Sequence, residues 1–239
     1  MDEELKTILI TSLVLSFIFS FSDRNLIVNV QQFFFKLLRF FILSLLAMHI
    51  HKWTQKYYAN RVGAIASISL WKSKSKFKFL NLKVFDFPLG IVIPTLISLL
   101  SRGQIFFTAT TTTDIKVNPM YRIGKKYIKL TEYEYAKIAA ISPITHIVIA
   151  VIANTFSVSL LKDFALVNTM IAISTMVPLP GLLGITILFG SKPLYILSSV
   201  FILISALLLK FLTGISTLII AGILAVTTLV IYLWKVHTK

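Results

Sequence analysis

Long apolar runs, separated by short polar segments, dominate this chain. The two clearest, 194–209 and 218–234, approach the roughly 20 residues that a helix needs to cross the core of a bilayer. Other apolar runs occupy 5–21, 32–50 with a continuation to Gly63, 132–155 and 164–180. The pattern predicts an all-α polytopic membrane bundle that forms one domain over residues 1–239.

Two segments lack a helical period. In 64–83, apolar Ile65, Ile68 and Leu70 are followed by lysines at every second position from Lys72 to Lys78, which indicates a strand at the membrane surface. Residues 104–117 are β-branched and aromatic, a composition typical of strands. We expect these strands to pair into a small β-sheet packed beside the helix over 32–63.

The run 85–101 decides the topology. It contains Pro88 and Pro94 and ends at Arg102-Gly103. If it crosses the membrane, the chain has seven spans, and the basic residues divide almost evenly between the two faces. If 85–117 is instead a re-entrant element, entering and leaving on one side, about six transmembrane helices remain.

The distribution of basic residues favours the six-span topology. It collects most of the 24 Lys and Arg residues on one face, which is the bias that the positive-inside rule predicts for the cytoplasmic side. The opposite face then holds Arg24, Lys36, Arg39, Lys162 and Lys210, with Arg102 near the turn of the re-entrant element. The chain is therefore predicted to be a multi-pass protein of the cell membrane, with both termini cytoplasmic and an internal cleft around the re-entrant element.

Composition supports a membrane protein and narrows its partners. Hydrophobic residues make up 56% of the chain, charged residues 14%, and the mean hydropathy is +0.86. A net charge of +15 in a soluble protein would suggest nucleic acid, but beside membrane spans it indicates a bilayer with an anionic cytoplasmic leaflet. The basic residues lie in short loops without an aromatic-basic surface motif, so we expect no nucleic-acid partner. The absence of cysteine excludes disulfides and thiolate ligands.

Three ordered motifs resemble the site-2 protease family of intramembrane zinc metalloproteases, in its archaeal-type form. The segments 51–56 (HKWTQK) and 59–64 (ANRVGA) are similar to the family's HExxHK…AxRxGA helix. The segment 142–146 (SPITH) stands where the family has GPxxN, and 177–184 (VPLPGLLG) stands where it has a proline-rich LDG segment. The resemblance implies a family-like core over about 32–190, with accessory spans at 5–21, 194–210 and 213–234.

The resemblance also implies a degenerate active site. In the family, two histidines one helical turn apart and the aspartate of LDG bind zinc, and a glutamate after the first histidine activates water. These functions fall on His51, Gln55, Leu183 and Lys52 respectively. Only His51 is retained, so no catalytic residue, no bound zinc and no other cofactor is expected. A site of this kind predicts that His51→Ala leaves function, abundance and metal content nearly unchanged.

The preferred function is that of a pseudoprotease, which binds but does not cut a membrane segment of another protein. An extended segment can add to an exposed strand, and this mode of binding needs no metal. The cleft that would hold such a segment is expected to involve Ser142, Pro143, His146, Pro178, Pro180 and Gly184.

Two alternatives remain open. The first is an active intramembrane metalloprotease with a rearranged zinc site built from His51, His146, Gln55 and perhaps His49. On a helix, His49 points to a different side from His51 and cannot replace Gln55. The second is a small carrier or channel, which needs polar residues along its helix interiors, whereas the last two spans offer only Ser, Thr and Gly.

Overall fold

The computed structural model describes residues 3–21, 30–73, 87–122, 129–212 and 214–238. These residues form eight α-helices, two β-strands and a short 3-10 helix (Pro119–Arg122). In chain order the elements are α1 (Glu3–Ser20), α2 (Val30–Val62), β1 (Ala64–Leu70), α3 (Leu89–Leu100), β2 (Thr111–Val117), α4 (Glu132–Asn154), α5 (Ser159–Thr175), α6 (Leu183–Gly190), α7 (Lys192–Leu208) and α8 (Ile215–His237).

Three helices in the described part of the chain, α2, α4 and α8, are long and apolar enough to cross a membrane. Two more, α3 and α7, are apolar but shorter. The prediction of a mainly helical membrane protein is confirmed at this level.

The helices form a bundle around α4, which packs against α2, α5, α6 and α7. Helices α1 and α2 form an antiparallel pair, because Glu4 near the start of α1 lies beside Lys52 and Lys56 in the second half of α2. Small polar residues on the buried face of α1, such as Ser12 and Ser16, allow close approach of the backbones, as is common between membrane helices.

The bundle has two distinct ends. At the first, which we call the sheet end, Ala59 of α2 packs in one cluster with Leu130 and with Ile138 of α4. Gly190 also lies there, so close to α4 that an added Cβ would be 2.4 Å from the carbonyl oxygen of Glu132. At the opposite end, the side chain of Asn154 donates to the carbonyl of Leu209 after α7.

Strands β1 and β2 pair antiparallel, in a register that runs from Ala64↔Val117 to Leu70↔Thr111. Gly63 ends α2 in the left-handed conformation that glycine adopts most easily at a helix C-terminus (φ 82°). The chain therefore turns directly from α2 into β1, which packs back against α2. This confirms the predicted pairing of two strands into a small sheet beside that helix.

Between the two strands, residues 89–110 form what we call the α3 hairpin. Helix α3 leads away from the sheet, the chain turns at Arg102 and Gly103, which both have positive φ, and residues 106–110 return in extended form. The carbonyl of Trp71 accepts from the amide of Gly90 (2.8 Å), and the amide of Trp71 donates to the carbonyl of Thr110 (3.0 Å). Both ends of the hairpin, Gly90 and Thr110, are therefore hydrogen-bonded to the backbone of Trp71.

The strand predicted over 104–117 is wrong in its first half. Residues 101–105 form a turn, and 106–110, although extended, bond to other elements, as where the amide of Thr108 donates to Ser174 Oγ on α5. Only 111–117 pairs with β1. Of the strand predicted over 64–83, residues 64–70 are observed, and 74–83 lie outside the described residues.

The helix predicted over 164–180 is shifted, and one helix was missed. Helix α5 begins at Ser159, five residues before the apolar run. The charged residue Asp163 is included in the helix because it forms an ion pair with Arg39 of α2. The helix ends at Thr175, since Pro178 disfavours helix in the residue before it. The short helix α6 was not predicted, because its apolar sequence follows directly on a proline-rich segment.

Candidate functional site

Helix α2 points two polar side chains into the bundle. His51 and Gln55 are one turn apart, so they lie on the same face of the helix. That face also carries Ala47, Met48 and Ala59, which are all buried. The two polar residues are 1% and 0% exposed respectively. A helix that packs this stripe against α4 must bring its polar groups into contact with polar partners or leave them unpaired.

The partners of His51 come from α4 and α5. Its Nδ1 lies 3.1 Å from Nε2 of His146 and 2.7 Å from Oγ of Ser142, which precedes His146 by one turn on α4. His146 Nδ1 lies 2.7 Å from Oδ1 of Asn168 on α5. Ser142, His146 and Asn168 are fully buried. We call these four side chains the buried polar chain, which connects three helices.

The donors and acceptors at its two ends determine which atoms carry the protons in the buried polar chain. The Asn168 amide nitrogen donates to the carbonyl of Phe164 (2.8 Å), so its oxygen faces His146 and can only accept. His146 therefore donates through Nδ1, and the lone pair of its Nε2 faces His51. With both imidazoles neutral, His51 must donate through Nδ1, and Ser142 Oγ shares that proton as a second acceptor.

The assignment limits what the site can do chemically. Because Ser142 accepts from His51, His51 does not act as a base toward the Ser142 hydroxyl, and a serine nucleophile is not activated. The remaining lone pair of His51, on Nε2, is buried and has no partner among the residues that the structure describes. Gln55 accepts from the hydroxyl of Thr113 on β2 (2.7 Å), and within the same described residues its buried amide nitrogen has no partner.

Lys52, to which the sequence resemblance assigns the position of a general base, forms an ion pair with Glu4 on α1. Its Nζ is 2.9 Å from a Glu4 carboxylate oxygen, and Nζ of Lys56 is 2.6 Å from the same oxygen. Burial by itself raises the pKa of the Glu4 carboxyl, but the hydrogen bonds from Lys56 and Lys52 outweigh this and hold the pKa below its usual value. Two cations around one carboxylate make this region a poor place for a divalent metal.

Leu183, at the position of the aspartate ligand, lies in an apolar cluster. Its neighbours there include Ala139 and Ile147 of α4, Ala172 of α5 and Ile202 of α7. Gly184 is packed so closely that an added Cβ would meet the carbonyl oxygen of Met176 at 2.2 Å. The surroundings of Leu183 are suited to a hydrocarbon side chain.

The donor set does not fit a zinc ion. Of the residues considered for a rearranged site, His51 and His146 are bonded to each other, and the oxygen of Gln55 accepts from Thr113. His49 is exposed, and its Nδ1 bonds to the carbonyl of Leu45 in its own helix. Within the described residues, no group of three or more His, Cys, Asp or Glu side chains is placed to hold a metal ion.

The expected cleft residues fall into two groups. Pro143 is buried beside Ser142 and His146 in α4. Pro178 instead lines a cavity of about 190 Å³ between the end of α5 and α7, whose other lining residues are Ile173, Met176, Val177, Tyr195, Ser199, Ile202 and Leu203. The carbonyl of Pro180 accepts from the indole nitrogen of Trp71 (3.0 Å), which fastens the proline-rich loop to the sheet end.

Three residues of the site were missed by sequence reasoning. Asn168 was the most accessible to prediction, since a lone amide within an apolar span needs a partner. Glu4 carried no signal, because its ion pair with half-buried Lys52 depends on the packing of α1 against α2. Thr113 carried no signal, because its contact with Gln55 depends on the sheet register.

Comparisons of this chain with protein-family models, with curated proteins and with solved structures find no match. The conclusions about function therefore rest on the geometry of the buried polar chain and on the charges around it.

Proposed function

We propose that this protein is a non-proteolytic member of the site-2 protease family, which holds an extended segment of another membrane protein. The observation that carries the proposal is the hydrogen bond between His51 and His146. It places the retained family-like histidine in a structural network that connects α2 with α4 and α5. The cytoplasmic surface is proposed to face an anionic leaflet.

The contacts of the replaced positions support a site without catalysis. Lys52 is neutralised by Glu4, and Leu183 packs against hydrocarbon. These two replacements are thus matched by their surroundings, since a charge in a partly buried position without a partner would be costly. Gln55 is matched only through its oxygen, which accepts from Thr113.

The geometry of the α3 hairpin supports a re-entrant element and six spans. Helix α3 has 12 residues, and at 1.5 Å per residue it reaches about 18 Å, well short of the roughly 30 Å of the hydrocarbon core. Strands β1 and β2 pair, so the segment between them begins and ends on the same side. The six spans of the proposal are α1, α2, α4, α5, α7 and α8.

The charges of the described residues support an orientation with the sheet end in the cytoplasm. Arg61, Lys72, Lys116, Lys129 and Lys192 lie in or next to elements of that end. The positive-inside rule then places both termini in the cytoplasm, since α1 begins there and α8 returns there.

The sheet supports the binding of an extended segment. Among the described residues, the outer edges of β1 and β2 have no backbone partner beyond their own ladder. A third strand can add to such an edge through main-chain hydrogen bonds, with side chains giving specificity. The exposed positions Ile65 and Ser69 on β1 and Asp114 on β2 would flank that strand.

The metal content of the purified protein tests the non-catalytic half of the proposal. We expect substoichiometric zinc in the wild type, and zinc binding in the triple variant Lys52→Glu, Gln55→His, Leu183→Asp. The substituted position 55 lies one turn from His51, whose Nε2 has no partner in the described part of the chain. About one zinc per wild-type chain would overturn the proposal and support the rearranged metalloprotease instead.

Site-specific photo-crosslinking in membranes tests the binding half. A photoreactive residue at Ser69 or Asp114 should form adducts with another polypeptide, and the same residue at Lys210, at the opposite end, serves as the control. Equal adducts at all three positions, or none at the sheet, would contradict binding at the sheet edge.

A further inference from the structure

The exposed face of α2 changes in chemical character toward the sheet end. It carries Ile42 and Leu46, each more than half exposed, and then the exposed aromatic residues Trp53 and Tyr57. Arg61 follows one turn later and is also exposed. Such an order of aliphatic, aromatic and cationic side chains on one helix face is typical of the passage from lipid tails to headgroups.

The three residues at the end of this face contact one another. The rings of Trp53 and Tyr57 stack with centroids 5.3 Å apart, and the guanidinium carbon of Arg61 lies 4.9 Å from the centroid of the Tyr57 ring. We call these three residues the aromatic–basic ladder. The expectation that basic residues lie in loops without an aromatic-basic surface motif is therefore wrong for Arg61, because the three residues are one helical turn apart rather than adjacent in sequence. A guanidinium stacked on a ring keeps its N–H groups directed outward along its edge, where they can bond to phosphate oxygens.

A second pair of the same kind lies on α4. Nζ of Lys137 is 4.8 Å from the centroid of the Tyr133 ring, which is 52% exposed. The pair is in the first two turns of α4, whose N-terminus packs beside the C-terminus of α2 at the sheet end. Two helices thus present a cation on an aromatic ring at the same end of the bundle, Arg61 exposed and Lys137 half-buried.

The cation of the ladder is available for an external anion. In the described part of the chain, two acidic groups of the sheet end are paired with lysines, Glu4 with Lys52 and Lys56, and Asp114 with Lys116. The guanidinium of Arg61 has no carboxylate within ion-pair distance among those residues. From Tyr57 to Arg61 the helix rises about 6 Å, close to the depth of one headgroup layer.

We propose that the ladder and the Tyr133–Lys137 pair bind the phosphate headgroups of anionic phospholipids at the sheet end. The aromatic rings lie at the boundary of the hydrocarbon, and the cations reach the phosphates above it. This inference does not depend on the proposed partner-binding function, and it would hold for any activity of the bundle.

The experiment titrates detergent-solubilised full-length protein with short-chain phosphatidylglycerol or with short-chain phosphatidylcholine, and follows lipid adducts by native mass spectrometry. The wild type should prefer phosphatidylglycerol. The variants Arg61→Gln and Lys137→Gln should each weaken that preference about fivefold, as expected for one basic residue near a membrane surface. Lys210→Gln removes an exposed lysine at the opposite end and should leave the preference unchanged.

Three results would overturn the proposal. The first is an unchanged preference in the double variant, and the second is an equal loss in Lys210→Gln, which would show a response to net charge alone. The third is displacement of the lipid by inorganic phosphate at low concentration, which would show that the site recognises free phosphate. The three single variants change exposed or half-buried side chains, and their thermal stability in phosphatidylcholine verifies that the fold is intact.

Discussion

At the scale of single residues, the structure changes the meaning of His51. The sequence alone made it the remnant of a lost metal site, whose replacement by alanine should alter little. In the structure its ring is fully buried and supplies the proton that His146 and Ser142 accept. The expectation of unchanged abundance on His51→Ala is therefore withdrawn, because a buried donor cannot be removed without leaving its acceptors unpaired.

His51→Ala should destabilise the protein by about 2–4 kcal/mol, from a cavity and an unpaired His146 nitrogen, without changing metal content. Thermal unfolding in detergent measures the loss. His49→Ala is the matched control, since His49 is exposed on the same helix and its Nδ1 bonds to the carbonyl of Leu45, one turn earlier. Its effect should remain within about 0.5 kcal/mol. Equal stability of the two variants would contradict the role of the buried polar chain.

Glu4 predicts a dependence of stability on pH. Its pKa is lowered in the folded protein, so its ion pairs stabilise the fold above the pKa of the unfolded chain. The contribution is lost as the pH falls through the lower, folded value. Glu4→Gln should therefore cost up to about 1 kcal/mol at neutral pH, and the difference from the wild type should shrink in acid. A difference that stays constant down to acid pH would exclude Glu4 as its source.

At the scale of elements, the predictions succeeded where the pattern was local. Helices α2, α4, α7 and α8 follow from long apolar runs, and the end of α2 follows from Gly63. The start of α5 could not be predicted, because the charge of Asp163 is compensated by Arg39, far away in the sequence. The division of 104–117 into a turn, an extended limb and a strand depends in the same way on contacts with Trp71 and Ser174.

Gly90 allows a test of how closely the two limbs of the α3 hairpin, which are helix α3 and residues 106–110, approach each other. A Cβ on Gly90 would lie 2.1 Å from the carbonyl oxygen of Thr110. Gly90→Ala must therefore separate the limbs, at a cost of about 1–3 kcal/mol in thermal unfolding. Gly222→Ala in α8 meets nothing within 4 Å and should stabilise by up to about 1 kcal/mol through helix propensity. A Gly90 variant as stable as the wild type would show that the limbs do not touch.

At the scale of the whole molecule, the sequence anticipated the site only in part. The approach of His146 to His51 was considered for a metal site, and the two rings do meet, but as donor and acceptor. The ion pair of Lys52 with Glu4 was not anticipated, since it depends on the antiparallel packing of α1 on α2. Polar contacts between helices depend on how each helix is rotated about its own axis relative to its neighbour. The spacing of apolar residues in the sequence determines that rotation only coarsely.

The topology of the proposal is testable with introduced cysteines, because the chain has none of its own. Exposed Lys72 and Lys116 lie on either side of the α3 hairpin and are suitable positions. With six spans, a membrane-impermeant thiol reagent should label Lys72→Cys and Lys116→Cys only from the cytoplasm. Labelling of Lys72→Cys and Lys116→Cys from opposite sides would refute the proposed arrangement.

The pairing of β1 with β2 also has a consequence for biosynthesis. Roughly forty residues separate Leu70 from Thr111, and a ribosome adds about 5–20 residues per second, so β1 waits for several seconds before its partner emerges. During that interval both edges of β1 are open to mispairing with other nascent chains. The strand is short and carries polar Ser67 and Ser69, and the lysines that follow it repel similar strands. The lysines after β1 would thus protect the newly made chain from mispairing during synthesis, before β2 has emerged.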